Sequence, residues 1–381
     1  MEAFVKKNIV LVTVLAVFFT IAMTTGCKKN SSPAAPASTN TPNYTQTYMA
    51  LFTHTNSPTF TMTATITKTI FVTSTPTSTV TPTFTPTSTA TNSPVPVAYT
   101  GLAPVPGGTF TQTDGINSFS HSISAFQIGE YQVTYDLWYT VRIWAIGNGY
   151  TFQNSGTEGY NGTIGAAPTT AKYQPVTAIN WRDIIVWCNA YSQKTGLTSV
   201  YYSDSGFTTP IKSSISGSYG GVINTTAGSF DNPYVNWSAN GYRLPTEGEY
   251  QCAASYKDGS NWTPNNYASG ATDTVSDIPA TEVVAWCHSN CDNTQAVGGK
   301  TPNTLGIYDM SGNVWEWCWD WYGTYPATES ANYTGPASGS SRVIRGGSYS
   351  DAANYMQVGY RYYDSPYDTG SNSGFRIART N

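Results

Sequence analysis

Hydrophobic and polar positions divide the chain into three stretches. The first is a nearly unbroken apolar run, "IVLVTVLAVFFTIAM", residues 9–23. From about residue 31 to 96, Thr, Ser and Pro dominate and no apolar face recurs, as in "TSTPTSTVTPTFTPTSTATNSP". From about Val105 apolar residues return at short periods. "VPGGTF" (residues 105–110) reads as the start of a strand. "FQIGEYQVTYDLWYTVRIWAIGNG" predicts a short strand, then a helix from about Thr134: threonine is a good N-cap, Leu137, Val141 and Trp144 recur at helical spacing, and Gly147 or Gly149 ends it. In "VTAINWRDIIVWCNAYSQKTG" a second helix is capped by Asn180, carries Asp183 in its first turn, and stops at Gly196. Its apolar face is Ile184, Trp187, Cys188 and Tyr191. In "LPTEGEYQCAAS", Thr246 with Glu249 forms a capping box for a third. "RVIRGGS" and "GFRIA" read as framework strands on either side of an unpatterned loop. Few helices, short strands and frequent turns predict a mixed α+β domain with little regular secondary structure.

The apolar run follows Lys6 and Lys7 and ends in "TTGC". A basic start, an apolar middle and small residues before a cleavage point make a secretory signal. The cysteine after Gly26 is similar to a bacterial lipobox, although Thr24 stands where Leu is usual, and it marks Cys27 as the lipidated first residue of the mature chain. The alternative is a plain signal anchor. Acyl chains on Cys27 would hold the protein at the cell envelope, at the outer membrane and surface exposed. The Thr/Ser/Pro stretch cannot bury enough apolar surface to offset its ordering entropy and is expected to be an extended, solvated stalk. At about 3.1 Å per residue it would reach on the order of 200 Å. The expected organisation is a signal peptide (1–27), a stalk (28–98) and one domain (99–381).

Composition narrows the function. Charged residues are 10% of the chain and the net charge is −4, which argues against a nucleic-acid partner. With 11 Trp, 28 Tyr and 34 Gly, the domain is expected to be loop-rich and packed around rings. Six cysteines leave five once Cys27 is used, an odd number for an oxidising compartment. Cys287 and Cys291 are close enough to pair; a metal site there would have only His288 to add. Cys188 and Cys252, on helices, read as small buried hydrophobes.

Seven segments in this order, "VPGGTF", "GEYQVTYDLW", "QPVTAINWRDIIVWCN", "YRLPTEGEY", "TPNTLGIYDMSGNVWEWCWDWY", "RVIRGGSY" and "GFRIAR", resemble the formylglycine-generating enzyme (sulfatase-modifying factor) family. The resemblance spans residues 105–379 and implies a variant of the C-type lectin fold. It also implies an oxidation of cysteine by copper held on two thiolates shortly after "RGGS", for soft sulfur ligands suit Cu(I). Here that stretch is Tyr349 to Tyr355 and no cysteine follows Cys318. Relatives with a His-rich iron site offer no substitute, since the histidines are His54, His121 and His288. Neither copper nor iron is expected, nor catalysis. "YDMSGNVWEW" is similar to a stretch that binds structural Ca²⁺, which implies Asp309 and Glu316 as carboxylate ligands and Gly312 and Val314 as carbonyl ligands. The alternative is a turn held by hydrogen bonds alone.

Of the 24 residues from Ser350 to Ser373, all but Met356, Gln357, Val358, Arg361 and Pro366 are Tyr, Asp, Ser, Asn, Gly, Ala or Thr. Tyr gives large, rigid, amphipathic contact at low entropy cost, and the small polar residues adapt their hydrogen bonds, as in antibody loops. The same set is reachable from the codon AAC by replacing adenines. This resembles the variable region of retroelement-diversified lipoproteins of the treponemal kind, with Met356 and Thr369 departing from that pattern. The implied ligand-facing residues are Ser350, Asp351, Ala352, Asn354, Tyr355, Tyr360, Tyr362, Tyr363, Asp364, Ser365, Tyr367, Asp368, Gly370, Ser371 and Asn372. Trp315, Trp319 and Trp321 are candidates for the floor, the alternative being core packing, which is the favoured reading for Trp315. The expected function is a surface-displayed, noncatalytic binder of a protein or glycan ligand. The alternatives are a fixed lectin-like loop, and an oxidoreductase or accessory protein with an altered site.

Overall fold

The computed structural model describes residues 50–51, 65–66, 100–215 and 221–380. The signal segment, Cys27 and most of the stalk lie outside the described residues. Within the N-terminal unit Ala50–Leu51 pairs antiparallel with Thr65–Ile66. Among the described residues no helix is long and apolar enough to cross a membrane.

The C-terminal unit is mixed α+β. Strands β1 (Leu102–Val105), β2 (Gly108–Thr113), β3 (Ser118–Ile123) and β4 (Phe126–Gly129) precede helix α1 (Tyr135–Ile146). "VPGGTF" is not one strand. Gly107 at φ +77° turns the chain out of β1, which pairs with β4, into β2, which pairs with β3. Thr134 caps α1 as expected, its hydroxyl accepting from the Leu137 N–H. The buried stripe is Tyr135, Trp138, Val141, Arg142 and Ala145. It is rotated from the expected face, leaving Leu137 and Trp144 half-buried. Two-residue strands β5 (Thr157–Glu158) and β6 (Val176–Thr177) lead to α2 (Trp181–Lys194), which starts on a reciprocal Asn180–Asp183 capping box. Every α2 residue from Trp181 to Ser192 is buried, so α2 is a core helix and not an amphipathic one.

After β7 (Tyr201–Tyr202) and β8 (Tyr234–Val235) comes α3 (Glu247–Ser255), with its Thr246–Glu249 capping box. A helix the periodicity did not show, α4 (Ile278–Val284), starts on Asp277, whose side chain accepts from the Ala280 N–H. The central sheet takes β9 (Trp315–Trp321), β11 (Arg342–Arg345), β12 (Arg361–Asp364) and β13 (Ser373–Gly374) in the order β12-β11-β9-β13. Only β9–β13 is parallel. β10 (Ser330–Ala331) joins β3, and β14 (Ala378–Thr380) joins β4. All seven residues of β9 are buried, because the strand is covered on both faces. One face meets Trp138 and Trp187, stacked at 5.8 Å, with Phe375 edge-on to both.

"RGGS" ends β11 by a sharp exit. Gly346 and Gly347 have φ of +96° and +76°, which only glycine adopts cheaply. A Cβ on Gly347 would come within 2.7 Å of Met356 Cε and 2.9 Å of the Tyr355 carbonyl. The chain therefore leaves the sheet at Ser348 and returns at β12, and the loop edge is set by backbone geometry.

Candidate functional site

The loop from Ser350 to Asn372 is a ring of exposed side chains on buried anchors. Each of the fifteen sequence-implied contact residues is exposed or half-buried, whereas Ala353, Met356, Val358, Gly359, Pro366 and Ser373, interleaved with them, are buried. Arg345, fully buried at the end of β11, grips the loop from below: its guanidinium donates to the carbonyls of Val358 and Gly359 at 3.0 Å each, and to that of Tyr360. Arg361 is anchored too. It donates to Glu247 Oε2 at 2.7 Å and to the Gly323 carbonyl at 2.8 Å, between the rings of Tyr322 and Tyr325.

Two groups of contact residues form. In the first, Tyr355, Tyr360 and Tyr362 surround Trp315 at 6.4, 6.1 and 5.8 Å between ring centroids. Tyr363 stacks on Tyr362 at 5.3 Å and meets Tyr322 at 4.4 Å. Tyr362, Tyr363 and Tyr322 are 48%, 45% and 37% exposed, a continuous tyrosine surface. In the second, Tyr367 covers Arg182, which also lies on Phe230 and pairs with Asp231 at 2.5 Å. The Asp368 carboxyl hydrogen-bonds that of Asp364, which burial and this like-charged neighbour push up to about 6. Gly370 accepts from the Ala178 N–H, Asn372 from the Trp315 N–H, and Ser371 bonds the Tyr349 side chain. Ala352 precedes the short turn Ala353–Tyr355, Asn354 lies within it, and Ser365 follows β12.

Of the three candidate floor tryptophans, Trp315 alone lies under the tyrosines. Trp319 and Trp321 face inward and enclose the buried Arg342 with Trp181, at 4.8, 3.6 and 3.8 Å. Tyr322, the residue after β9, was missed from sequence; an aromatic one step beyond an all-buried strand was the available signal.

At the start of the loop the Ser348 hydroxyl is taken up by the Asp351 carboxylate and by Ser350 Oγ at 3.0 Å. The five described cysteines are free thiols, so Cys287 and Cys291 are not bridged; the Cys291 thiol donates to the Cys287 carbonyl at 3.5 Å. Burial raises the thiols of Cys188 and Cys318 and pushes those of Cys252 and Cys291 up to about 12 and 11, which disfavours the thiolates a metal needs.

The calcium-like turn converges differently from the expectation. Four oxygens point at one spot: the carbonyls of Asp309, Gly312 and Val314, and Glu316 Oε1. Asp309 offers its backbone and not its carboxylate, which accepts from the Gly298 N–H through Oδ2 while Oδ1 is buried without a partner. The spot is reached by the side-chain nitrogen of Gln132, 3.0–3.2 Å from all four, and Gln132 Oε1 is likewise buried and unpartnered. One amide has two hydrogens for these four acceptors, so the oxygens outnumber the donors. Gln132 was missed from sequence because it comes from the loop before α1, far along the chain.

At the start of α3, Asp320 of β9 is buried and accepts from the Glu247 N–H at 2.7 Å. Burial, with the Glu247 charge adding, pushes its carboxyl up to about 8. The native state thus holds a proton that the unfolded state, with a value near 3.8, releases. Stability from this source is fully present in acid and is lost as pH rises towards 8. Asp320→Asn is expected to flatten the stability profile between pH 6.5 and 8, the wild type losing roughly 1–2 kcal/mol relative to the variant. Parallel urea-unfolding midpoints across that range would contradict the assignment. His121 acts in the opposite sense below this window: burial pushes it down to about 4, so acid destabilises the fold as pH falls from 6.5.

This geometry defines a lectin-like scaffold carrying a surface loop anchored by buried side chains. The model of the sulfatase-modifying factor enzyme 1-like domain matches residues 88–381, and the chain belongs to that family. Among solved structures it is similar to Treponema denticola variable protein 1, at 32% identity with a TM-score of 0.56, covering 74% of this chain and 95% of that one. The chaperone protein LppX of Paenibacillus barcinonensis is 28% identical over 291 residues, 73% of this chain and 89% of its own. The formylglycine-generating enzyme of Streptomyces coelicolor is 33% identical over 162 residues, 38% of this chain and 48% of its own. The chain thus spans about half the length of that enzyme.

Proposed function

We propose that the protein is a noncatalytic ligand-binding lipoprotein, anchored through Cys27 in the outer membrane and displayed on the surface by its stalk, with the 350–373 loop as its binding face. The observation that carries this reading is the split within that loop: contact-type side chains point outward while the residues between them are buried or held by Arg345 and Glu247. Such a loop can change its surface without changing its frame. The codon pattern, and the likeness to a variable protein from Treponema denticola, support diversification of these positions by a retroelement. The ligand is a protein or glycan. A structural Ca²⁺ belongs to this reading: the carbonyls of Asp309, Gly312 and Val314 and the Glu316 carboxylate are hard oxygen donors, and Gln132 Oε1 is a further one if the amide is turned over. Copper and iron have no part in it, since Tyr349 to Tyr355 supply no thiol or imidazole.

The test has two arms. The purified chain is incubated with Cu(I), oxygen and cysteine-containing peptides, and the peptides are weighed by mass spectrometry; no loss of thiol mass is expected, and formylglycine would overturn the reading. The locus is sequenced for a second copy of the codons for Gly347–Phe375, rich in AAC, beside a reverse-transcriptase gene; its absence removes diversification and leaves a fixed binding loop. A second reading, an accessory to another protein's folding, is favoured by the similarity to a chaperone along most of both chains.

A further inference from the structure

A cavity lies outside the loop. It has a volume of about 440 Å³ and opens where the β2–β3 and β1–β4 sheets meet the start of α3. None of residues 350–373 lines it. Its size falls in the range of small-molecule sites. Its two charged lining residues, Arg243 and Glu249, neutralise each other through two parallel hydrogen bonds of 2.6 and 2.7 Å. The cavity therefore offers no net charge to a ligand. Arg243 is 4% exposed and its Nε–H is buried without an acceptor. Trp237 presents a half-buried ring, held edge-on to Trp319 at 5.8 Å with the Arg243 guanidinium 5.3 Å from its centroid. Phe126 adds a second aromatic wall, and Thr334 and Asn332 add polar groups, the Asn332 amide accepting from the Ser124 N–H and donating to its hydroxyl while keeping one hydrogen and one lone pair free of them.

A charged ligand would leave its charge uncompensated here, and a purely apolar one would strip water from the threonine and asparagine groups without replacing their hydrogen bonds. What fits is a neutral ring with one apolar face and a polar edge. We propose that this cavity is a second binding site, for a monosaccharide-type ring whose C–H face lies on Trp237 and whose hydroxyls meet Asn332 and Thr334. The site is independent of the tyrosine loop.

The test uses the whole protein with a panel of neutral hexoses and N-acetylhexosamines, read by saturation-transfer NMR and by tryptophan fluorescence. At least one sugar is expected to give saturable quenching with millimolar affinity. Thr334→Trp, which fills the cavity from its rim, should weaken it at least roughly tenfold, and Trp237→Ala should remove the quenching. Ile164→Ala, at an exposed position in neither site, should leave it unchanged. No binding by any neutral sugar, binding untouched by Thr334→Trp, or a preference for glucuronate or phosphate over every neutral sugar would overturn the proposal. Because Thr334 and Trp237 lie outside the 350–373 loop, failure here is distinct from failure of the loop's own ligand binding.

Discussion

Arg376→Met is expected to cost about 3–5 kcal/mol of stability, lowering the midpoint of thermal unfolding by on the order of 10 °C. Arg376 and Glu316 are both completely buried. The guanidinium meets the carboxylate at 2.6 and 2.8 Å and also donates to the carbonyls of Gly129 and Tyr308 at 2.9 Å. One side chain thus ties the end of β4, the stretch before the calcium-like turn, and central strand β9. A buried ion pair adds little net stability over a hydrophobic replacement of both partners, but removing one partner strands the other charge. Here the stranded carboxylate would sit among three carbonyl oxygens with only two neutral donors to face it, the Gln132 amide and the Tyr250 hydroxyl. Arg376→Met combined with Glu316→Gln should therefore recover a good part of the loss. Urea unfolding of the three forms checks both statements. A single-variant loss below about 1 kcal/mol would show that the pair carries no such role.

The tyrosine surface is expected to show the second large effect. Tyr362→Ala together with Tyr363→Ala should weaken ligand binding at least about 100-fold, equivalent to roughly 2.7 kcal/mol, with the unfolding midpoint nearly unchanged. The rings are about half exposed and stack on each other and on Tyr322, so their removal opens no core cavity. Tyr355 and Tyr360 lie against Trp315 and the core, and their alanine variants should lower the midpoint as well. The ligand is first found on arrays of purified cell-surface proteins and glycans, and affinities are then measured by surface plasmon resonance. Undiminished binding by the double variant would move the binding face away from β12.

The helix starts were legible because capping is local. Thr134, Asn180 and Thr246 each satisfy an amide group three residues away in the structure. Helix faces were less legible. The spacing of Leu137, Val141 and Trp144 is a true helical period, yet the core lies on the side of Trp138, because that ring stacks on Trp187 from another helix. "VPGGTF" shows the same limit: its glycines were visible, but not that they divide strands of two sheets.

The sequence by itself determined the family, the helix caps, the missing copper thiols and the composition of the loop, since all of these depend on residue identity at short range. Only the tertiary structure decided which loop residues face outward and which hold the loop down. Arg345 grips Val358, and Glu247 grips Arg361, across 13 and 114 positions of chain. The tertiary structure also brought Gln132 to the oxygens of Asp309, Gly312, Val314 and Glu316, across 177 to 184 positions. A buried charge or amide is satisfied by whatever the fold places beside it, and in a protein with so little regular structure no periodicity announces those partners.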